Sequence, residues 1–378
     1  IFFIPYTASG FAACGKLFSS LFGMNYMTAM LISAIVIVGY TAAGGFFAAS
    51  TTDFVQSIIM TVAIVFVLIY ATVSAGGVSA VAENAKQLPG YLSFVSSYSE
   101  ATGESEPYNL LHIITTLSWG LGYFGMPHIL LRFMAIEDEK KLKLSRRVAS
   151  VWVVIAMAMA VLIGIVGRAL SNTGLVDQLH GNDTETIIVR VAHLLSTYGA
   201  FPAIMAGLIL AGILASTMST ADSQLLAAAS SVSENILREA FHLKISEKKS
   251  MLAARLTVIG IAILGIIIAR NPDSSVFGIV SFAWAGFGAA FGPLVICSLF
   301  WKRTTLPGAI VGMVSGGAMV FIWKYLIKPI GGVFGIYELL PAFLVGLVLM
   351  VIVSLCTKAP SKEITDEFDR VKAMGKAK

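Results

Sequence analysis

Four hydroxyl side chains share one face of a predicted helix in the second half of the chain. Ser216, Ser219, Thr220 and Ser223 are spaced at i, i+3, i+4 and i+7, which places them on one side of an α-helix. Hydroxyl and carbonyl oxygens are hard ligands and suit an alkali or alkaline-earth cation. The alternative is that each hydroxyl bonds to the carbonyl group four residues earlier, as is common in membrane helices. The carboxyl group of Asp222 in the same stretch favours the cation site.

An aromatic stripe in another apolar segment has the chemistry to face a small solute. Trp119, Tyr123 and Pro127 are four residues apart in the sequence WGLGYFGMPH, so they stack along one face if the segment is helical. The glycines between them allow a ligand or another backbone to come close, and Pro127 removes one backbone hydrogen bond. Helix packing and a proline kink explain the same pattern, so both interpretations stay open.

Two acidic side chains, Asp53 and Asp222, lie in or near apolar segments. An ionisable group at the centre of a bilayer costs at least ~2.5–3.5 kcal/mol, so it usually faces a cavity or a partner. Asp53 follows Gly44 and Gly45 and is predicted between two spans, where a solvated carboxylate is the alternative. Asp222 is predicted near the cytoplasmic end of its span, which weakens the case for it.

Two further segments combine small and aromatic residues. The stretch Ser281–Pro293 (SFAWAGFGAAFGP) interleaves Gly and Ala with aromatic rings, which suits a helix that packs tightly or flexes as a gate, and packing is the simpler role. Tyr6 follows Pro5 and precedes a run of small residues. It offers a polar group to a ligand, or it anchors its helix at the membrane interface.

The composition requires that all these residues belong to a membrane protein. Of 378 residues, 57% are hydrophobic and 12% are charged, and the mean hydropathy is +0.85. An average soluble domain is ~45–50% apolar and ~25% charged. The apolar residues occur in blocks of about 20 and not in short alternating segments, which predicts helical spans and excludes a β-barrel. The predicted fold class is therefore an all-α integral membrane protein.

Ten apolar segments are predicted to span the membrane. They lie near residues 1–19, 28–48, 54–75, 110–135, 149–170, 201–233, 253–269, 276–300, 306–327 and 334–356. Most Lys and Arg residues follow the fourth, sixth, eighth and tenth segments, while the acid-richer connectors 76–109 and 171–200 lie on the opposite side. The positive-inside rule then predicts a cytoplasmic C-terminus. Residues 1–356 are the predicted transmembrane domain, and residues 357–378 are a cytoplasmic tail.

Several function classes lack support in the sequence. The three cysteines are far apart, the five histidines are scattered, and no metalloprotease, hydrolase or P-loop motif is present, which argues against an ATP-driven pump or a membrane protease. The basic residues lie in short connectors, where they orient a membrane protein and do not indicate nucleic acid. No charged region precedes the first apolar block, so it is not a signal peptide, and we expect the true N-terminus to be missing.

Four segments together resemble the sodium/solute symporter family, and the resemblance extends over nearly the whole chain. In chain order they are Gly44–Gln56 (GGFFAASTTDFVQ), Trp119–Phe133 (WGLGYFGMPHILLRF), Ala215–Leu226 (ASTMSTADSQLL) and Ser281–Pro293 (SFAWAGFGAAFGP). The resemblance implies a transporter of the LeuT type, with a five-plus-five inverted repeat and thirteen spans. This chain would supply ten of them, from the fourth to the thirteenth.

The resemblance also implies the residues of two sites. Ser219 and Thr220 match the hydroxyl pair that binds the coupling sodium ion, with the carbonyl group of Ser216 alongside, and Asp53 matches an acid linked to sodium dependence. The positions assigned to proline binding match Tyr6, Trp119, Tyr123 and Pro127. The family's broken second span supplies the remaining sodium ligands, and it is absent here. We therefore expect that the chain alone holds half a sodium site and does not transport.

The implied function is secondary active transport in the inner (plasma) membrane, and not an enzymatic reaction. Inward movement of sodium would drive uptake of L-proline. Sodium is the expected coupling ion, and no organic cofactor is expected. The expected partners are the solute and the lipid bilayer, without nucleic acid or an obligatory protein partner. The alternatives are a sodium symporter for pantothenate, a sugar or a sialic acid, a transporter-like sensor, against which the short tail argues, and a passive channel.

Overall fold

The computed structural model describes residues 1–376 and, within them, the side chains of residues 1–44 and 49–374. The predicted stretch 44–56 and the predicted tail 357–378 thus lie partly outside the described residues. In chain order, the α-helices are α1 (Phe3–Phe22), α2 (Tyr26–Ser74), α3 (Gly77–Gln87), α4 (Leu110–Ser118), α5 (Pro127–Met134), α6 (Leu142–Asn172), α7 (Ile187–Ser196), α8 (Ala200–Ser230), α9 (Glu247–Ala269), α10 (Val276–Phe300), α11 (Leu306–Ile322), α12 (Leu339–Cys356) and α13 (Lys362–Lys376).

The predicted helical class is confirmed, with one small exception in a connector. Strands β1 (Ser96–Tyr98) and β2 (Ser105–Pro107) form an antiparallel hairpin in which Ser97 lies opposite Glu106. Short 3₁₀ segments also occur, at Trp119–Gly125, Glu139–Lys141, Gly181–Thr186, Lys328–Ile330 and Gly332–Gly335, and π-helical segments at Ser231–Ala240 and Trp323–Ile327.

Within the described residues, eight helical segments are long and apolar enough to cross a membrane. They are Tyr26–Gly44, Ala49–Ser74, Glu139–Asn172, Ala200–Ala240, Glu247–Ala269, Val276–Phe300, Leu306–Ile330 and Leu339–Cys356. They correspond to eight of the ten predicted spans. The first predicted span is a helix, α1, but it contains several hydroxyl residues and Lys16. The predicted count of ten is therefore not confirmed.

The predicted span at 110–135 is not one continuous helix. Helix α4 ends at Ser118, a 3₁₀ segment covers Trp119–Gly125, and Met126 is extended before α5 begins. Glycine weakens a helix, and proline removes a donor and disfavours helical geometry in the residue before it. Pro127 therefore starts a new helix, so the predicted span is interrupted here, and the kink that the sequence left open as an alternative does not occur.

Helix α2 also differs from the sequence prediction. It is one helix of 49 residues from Tyr26 to Ser74, about 73 Å long at 1.5 Å per residue, whereas the sequence predicted a connector between two spans there. Asp53 therefore lies within a helix and not in a loop. No proline occurs between Tyr26 and Ser74 to end the helix.

The contacts divide the chain into two compact units, and the first contains two buried clusters. The first unit comprises Ile1, Phe3–Pro107 and Phe133–Val280. One cluster joins α1, the first half of α2, the second half of α8 and α9, with Phe11, Met30 and Leu225 fully buried. The other joins the second half of α2 to α6, α7 and the first half of α8. Helices α2 and α8 therefore take part in both clusters.

The second unit comprises Phe2, Tyr108–Arg132 and the chain from Ser281 onwards. Within it, α11 packs closely on α12. The approach is so close that a Cβ atom at Gly312 would meet the side chain of Met350 and the carbonyl group of Gly346. Glycine on this helix face lets the two backbones approach, as in many membrane helix pairs.

Candidate functional site

The hydroxyl stripe of α8 lies in the first unit, with one backbone carbonyl group at its centre. The hydroxyls of Ser219 and Thr220 each donate to the carbonyl oxygen of Ser216, both at 3.1 Å, and Ser223 donates to the carbonyl oxygen of Ser219 at 2.9 Å. These are the helix back-bonds that the sequence left open as an alternative. A hydroxyl oxygen that donates retains lone pairs, so the carbonyl and both hydroxyls still present three neighbouring oxygen atoms to a cation.

The carboxyl group of Asp222 is held by neighbouring hydroxyls. Asp222 is completely buried, and one of its oxygens accepts a hydrogen bond of 2.8 Å from the hydroxyl of Tyr40 on α2. The other oxygen lies 3.3 Å from the hydroxyl of Ser223. A buried carboxyl group needs such partners, because leaving one without hydrogen bonds costs roughly 1–3 kcal/mol, and more when the group is charged. Helix α2 thus fixes the acid beside the hydroxyl stripe.

Asp53 belongs to the same part of the first unit. It is half-buried on α2, and its carboxylate interacts electrostatically with Asp222 on α8. Like charges that interact in this way are favoured when a cation lies nearby to offset their repulsion. In the described part of the chain, no cluster of three or more His, Cys, Asp and Glu side chains could hold a metal ion.

The predicted solute residues are divided between the two units. Tyr6 lies on α1 in the first unit, is half-buried, and its carbonyl oxygen accepts a bond of 2.6 Å from Ser9. Trp119, Tyr123 and Pro127 lie in the second unit. Their spacing predicts one α-helix face for all three, but a 3₁₀ segment carries the first two and Pro127 begins α5.

Trp119 and Tyr123 are brought together by a third aromatic residue. The rings of Trp119 and Trp284 are stacked with centroids 5.3 Å apart, and the ring of Tyr123 meets Trp284 edge-on at 4.8 Å. The indole N–H of Trp284 donates to the carbonyl oxygen of Trp119 at 3.0 Å. Half of the Tyr123 side chain stays exposed, while Trp284 is 6% exposed. The exposed ring of Tyr123 therefore packs on the buried ring of Trp284.

The sequence pattern does not reveal three of these neighbours. Tyr40 is a single tyrosine in an apolar helix, and nothing in its spacing distinguishes it. Trp284 was included in a stretch assigned to packing, and Tyr337, which stacks on Trp119 at 5.8 Å, is distant in sequence. A tryptophan between glycines in SFAWAGFG was the available signal, because small neighbours let another backbone approach it.

A second charged cluster in the first unit ties a connector to two helices. One carboxylate oxygen of Glu185 accepts bonds from Lys16 at 3.0 Å and the N–H of Val276 at 3.1 Å, and the other from Ser275 at 2.7 Å and the N–H of Phe277 at 3.2 Å. Burial alone would raise the pKa of Glu185, but these bonds outweigh it and hold the pKa below its usual value. The acid thus caps the first turn of α10.

Comparison with known proteins identifies relatives across nearly the whole chain. A family model described as "Sodium:solute symporter family" matches residues 1–316. "Sodium/proline symporter 2" of Staphylococcus saprophyticus is 38% identical over 382 residues, which cover 100% of this chain and 71% of the relative. The "Osmoregulated proline transporter OpuE" of Bacillus subtilis is 39% identical over 362 residues, covering 96% and 70%.

A third relative and a solved structure extend the comparison. "Sodium/proline symporter" of Staphylococcus aureus is 37% identical over 378 residues, covering 98% of this chain and 70% of the relative. A structure of a Na⁺-coupled sialic acid symporter in a substrate-bound outward-open state has a TM-score of 0.73 and 18% identity. It covers 96% of this chain and 73% of the other. At that identity the likeness establishes the fold alone.

Proposed function

Because the chain belongs to the sodium:solute symporter family, we propose that it couples inward movement of sodium to uptake of L-proline. One observation supports proline as the solute: three relatives named for proline transport are 37–39% identical over 96–100% of this chain. The chain is a multi-pass membrane protein and not an enzyme.

The coupling sodium ion binds, in this proposal, at the hydroxyl stripe of α8. Its ligands are the carbonyl oxygen of Ser216 and the hydroxyls of Ser219 and Thr220, and the carboxylate of Asp53 adds negative charge. The 3.1 Å bonds among these α8 oxygens support the assignment because they keep hard ligands close together. The burial of Asp222 beside them favours a bound cation further, since an unbalanced buried charge is costly.

The solute binds between aromatic side chains. Trp119 and Tyr123 cover the apolar pyrrolidine ring, and Pro127 begins the helix that follows the segment with the two rings. By the family resemblance, Tyr6 remains a proposed solute residue. Glycines at positions 120, 122 and 125 have no side chains, which keeps that segment narrow. The 50% exposure of Tyr123 supports this role, because a ring used only for packing would be buried.

The architecture we propose is the LeuT type, an inverted repeat of five plus five helices within thirteen spans, of which this chain contributes ten. Residues 1–356 form the transmembrane domain, and residues 357–378 form a tail on the cytoplasmic side of the inner membrane. The fold likeness to a Na⁺-coupled symporter supports this arrangement. The eight candidate membrane helices and α1 fit the same count together with the broken segment at 110–135.

Transport follows from a difference in affinity between two states. The membrane potential favours inward movement of each sodium ion by ~2.3 kcal/mol per 100 mV. Coupling requires that sodium binds best to the outward-open form that also binds solute. No other partner than sodium, the solute and the bilayer is required in this scheme.

Uptake of labelled proline by proteoliposomes that contain the full-length protein tests the proposal. With an inward sodium gradient, proline should accumulate above its outside concentration, and a potassium gradient of equal size should give no accumulation. An excess of unlabelled pantothenate, sugar or sialic acid should not compete. If one of these compounds competes and unlabelled proline does not, that compound is the solute. Equilibration without accumulation would indicate a channel.

A further inference from the structure

The aromatic surface at Trp119 is supported by two rings from other parts of the second unit. Trp284 on α10 and Tyr337, just before α12, both stack on Trp119, with interplanar angles of 13° and 16°. Trp284 also contacts Tyr123 edge-on. The two supporting rings are 6% and 8% exposed, whereas Tyr123 is 50% exposed. The outer rings thus offer surface to a ligand while the inner rings fix their positions.

The support is rigid because the 3₁₀ segment lies directly against α10. A Cβ atom at Gly122 would overlap the indole ring of Trp284, and one at Gly125 would overlap the carbonyl group of Phe287. On α10, a Cβ atom at Gly288 would meet the backbone of Gly122 at 2.7 Å. Backbones in such close contact leave the indole of Trp284 little room to change its rotamer.

Tyr337 is held in place at its hydroxyl and at its backbone. The hydroxyl donates to the carbonyl oxygen of Ser281 on α10. The next residue, Glu338, is 2% exposed, and its carboxylate lies 2.9 Å from the ammonium of Lys328 and 3.8 Å from that of Lys324. A buried carboxylate with two cationic partners is costly to move, since displacement would leave charge unpaired. The ring of Tyr337 therefore has a fixed position against Trp119.

We propose that Trp284 and Tyr337 are positioning residues for the solute: they hold Trp119 and Tyr123 in the geometry that binds the solute, without contacting it themselves. The identity of the solute as proline rests on the proposed function, but the support of the two rings does not. Each aromatic pair contributes roughly 0.5–1.5 kcal/mol beyond its burial. Loss of one supporting ring should therefore weaken solute binding by about 2- to 12-fold.

Uptake kinetics of the full-length protein test the role of the two rings. Trp284→Leu and Tyr337→Leu should each raise the KM for proline by about 2- to 12-fold, as derived from the pair energies. The maximal rate per protein molecule and the sodium dependence should stay within about twofold. Trp284→Phe and Tyr337→Phe keep a ring and should recover most of the affinity. An unchanged KM in both leucine variants would overturn the proposal.

A matched control separates positioning from general packing. Phe343 on α12 is in the same unit, is 4% exposed, and lies beside Gly292 of α10. Phe343→Leu removes a comparable ring and should leave the KM for proline unchanged. A rise in KM equal to that of Trp284→Leu would mean that any loss of packing has this effect, and it would overturn the proposal.

A double-mutant cycle tests whether Trp284 acts through Trp119. If it does, adding Trp284→Leu to Trp119→Leu should raise the KM for proline by clearly less than Trp284→Leu does alone. Because Trp284 also contacts Tyr123, the same cycle is run with Tyr123→Leu, and fully multiplicative effects in both cycles would contradict the proposal.

A spectroscopic measurement is independent of the solute. The full-length protein labelled with 5-fluorotryptophan should give a ¹⁹F resonance for Trp119, assigned by its absence in Trp119→Phe. That resonance should shift in Tyr337→Leu and Trp284→Phe and stay unchanged in Phe343→Leu. Failure of wild-type protein to transport proline would reject the proposed function alone. An unshifted Trp119 resonance in the first two variants would reject the positioning role alone.

Discussion

Replacing Glu185 by glutamine should destabilise the protein markedly although the two side chains have nearly the same shape. The two carboxylate oxygens each accept two hydrogen bonds, from Lys16 and Val276 at one oxygen and from Ser275 and Phe277 at the other. A glutamine amide replaces one of these oxygens by an NH₂ group, so two donors lose their acceptor whichever way the amide is oriented.

The magnitude follows from those two lost bonds. A hydrogen bond to a charged group contributes about 1.5–3 kcal/mol. The carboxylate of Glu185 is 25% exposed, and water can therefore replace part of what is lost. Two such bonds contribute about 3–6 kcal/mol, and because water replaces part of this we expect the free energy of unfolding to fall by about 2–3 kcal/mol. At an unfolding entropy of about 2.1 cal/mol/K per residue, a chain of 378 residues shifts its thermal midpoint by about 1.3 °C for each kcal/mol, so the midpoint should fall by about 3–4 °C.

Thermal unfolding of the purified protein in detergent measures this effect at neutral pH. Glu137→Gln is the matched control, because Glu137 is 85% exposed and its carboxylate pairs with Lys141, four residues later. Its midpoint should change by less than about 1 °C, as expected for a surface ion pair. A midpoint for Glu185→Gln within that same range would refute the assignment of Glu185 as the acid that ties α1 to the start of α10.

Further expectations concern the ion site, the solute site, one close backbone contact and pH. Ser219→Ala and Thr220→Ala should each raise the sodium concentration for half-maximal uptake by about tenfold, since each removes a ligand to a charge, with little change in rate at saturating sodium; unchanged sodium titrations would remove both from the ion site. Tyr123→Ala should weaken proline binding by about tenfold, and an unaltered affinity in binding assays would count against the pocket. Gly122→Ala should cost about 1–3 kcal/mol by overpacking, whereas Gly120→Ala, which meets nothing within 4 Å, should be tolerated in thermal unfolding. Because the pKa of Glu185 is lowered in the folded protein, its carboxylate stabilises the fold at pH values above its usual pKa of 4.5, and this stability is lost as the pH falls through the lowered pKa. A thermal midpoint of Glu185→Gln that is as sensitive to acid as that of the wild type would contradict this.

The membrane helices were predictable from the sequence because long apolar blocks leave few other structures in a bilayer. Eight predicted spans have counterparts in the structure. The segment at 110–135 was not predicted correctly, since apolarity does not reveal how three glycines and Pro127 divide it. The connector expected at Asp53 was also wrong, because a glycine pair permits a turn but does not require one.

The candidate sites were predictable only in part. Periodicity on α8 correctly grouped Ser216, Ser219 and Thr220, because one helix carries all of them. Contacts between distant segments leave no trace in spacing. The bond from Tyr40 to Asp222 joins residues 182 positions apart, and the stack of Trp119 on Trp284 joins residues 165 positions apart.

Coupling between sodium and proline is the central claim, and uptake of radioactive sodium driven by a proline gradient tests it most directly. Coupling between two ligands is reciprocal, so proline outside proteoliposomes of the full-length protein should accelerate sodium entry, and Ser219→Ala should abolish the acceleration at low sodium. Sodium entry that is the same with and without a proline gradient, while proline itself still enters, would contradict the account.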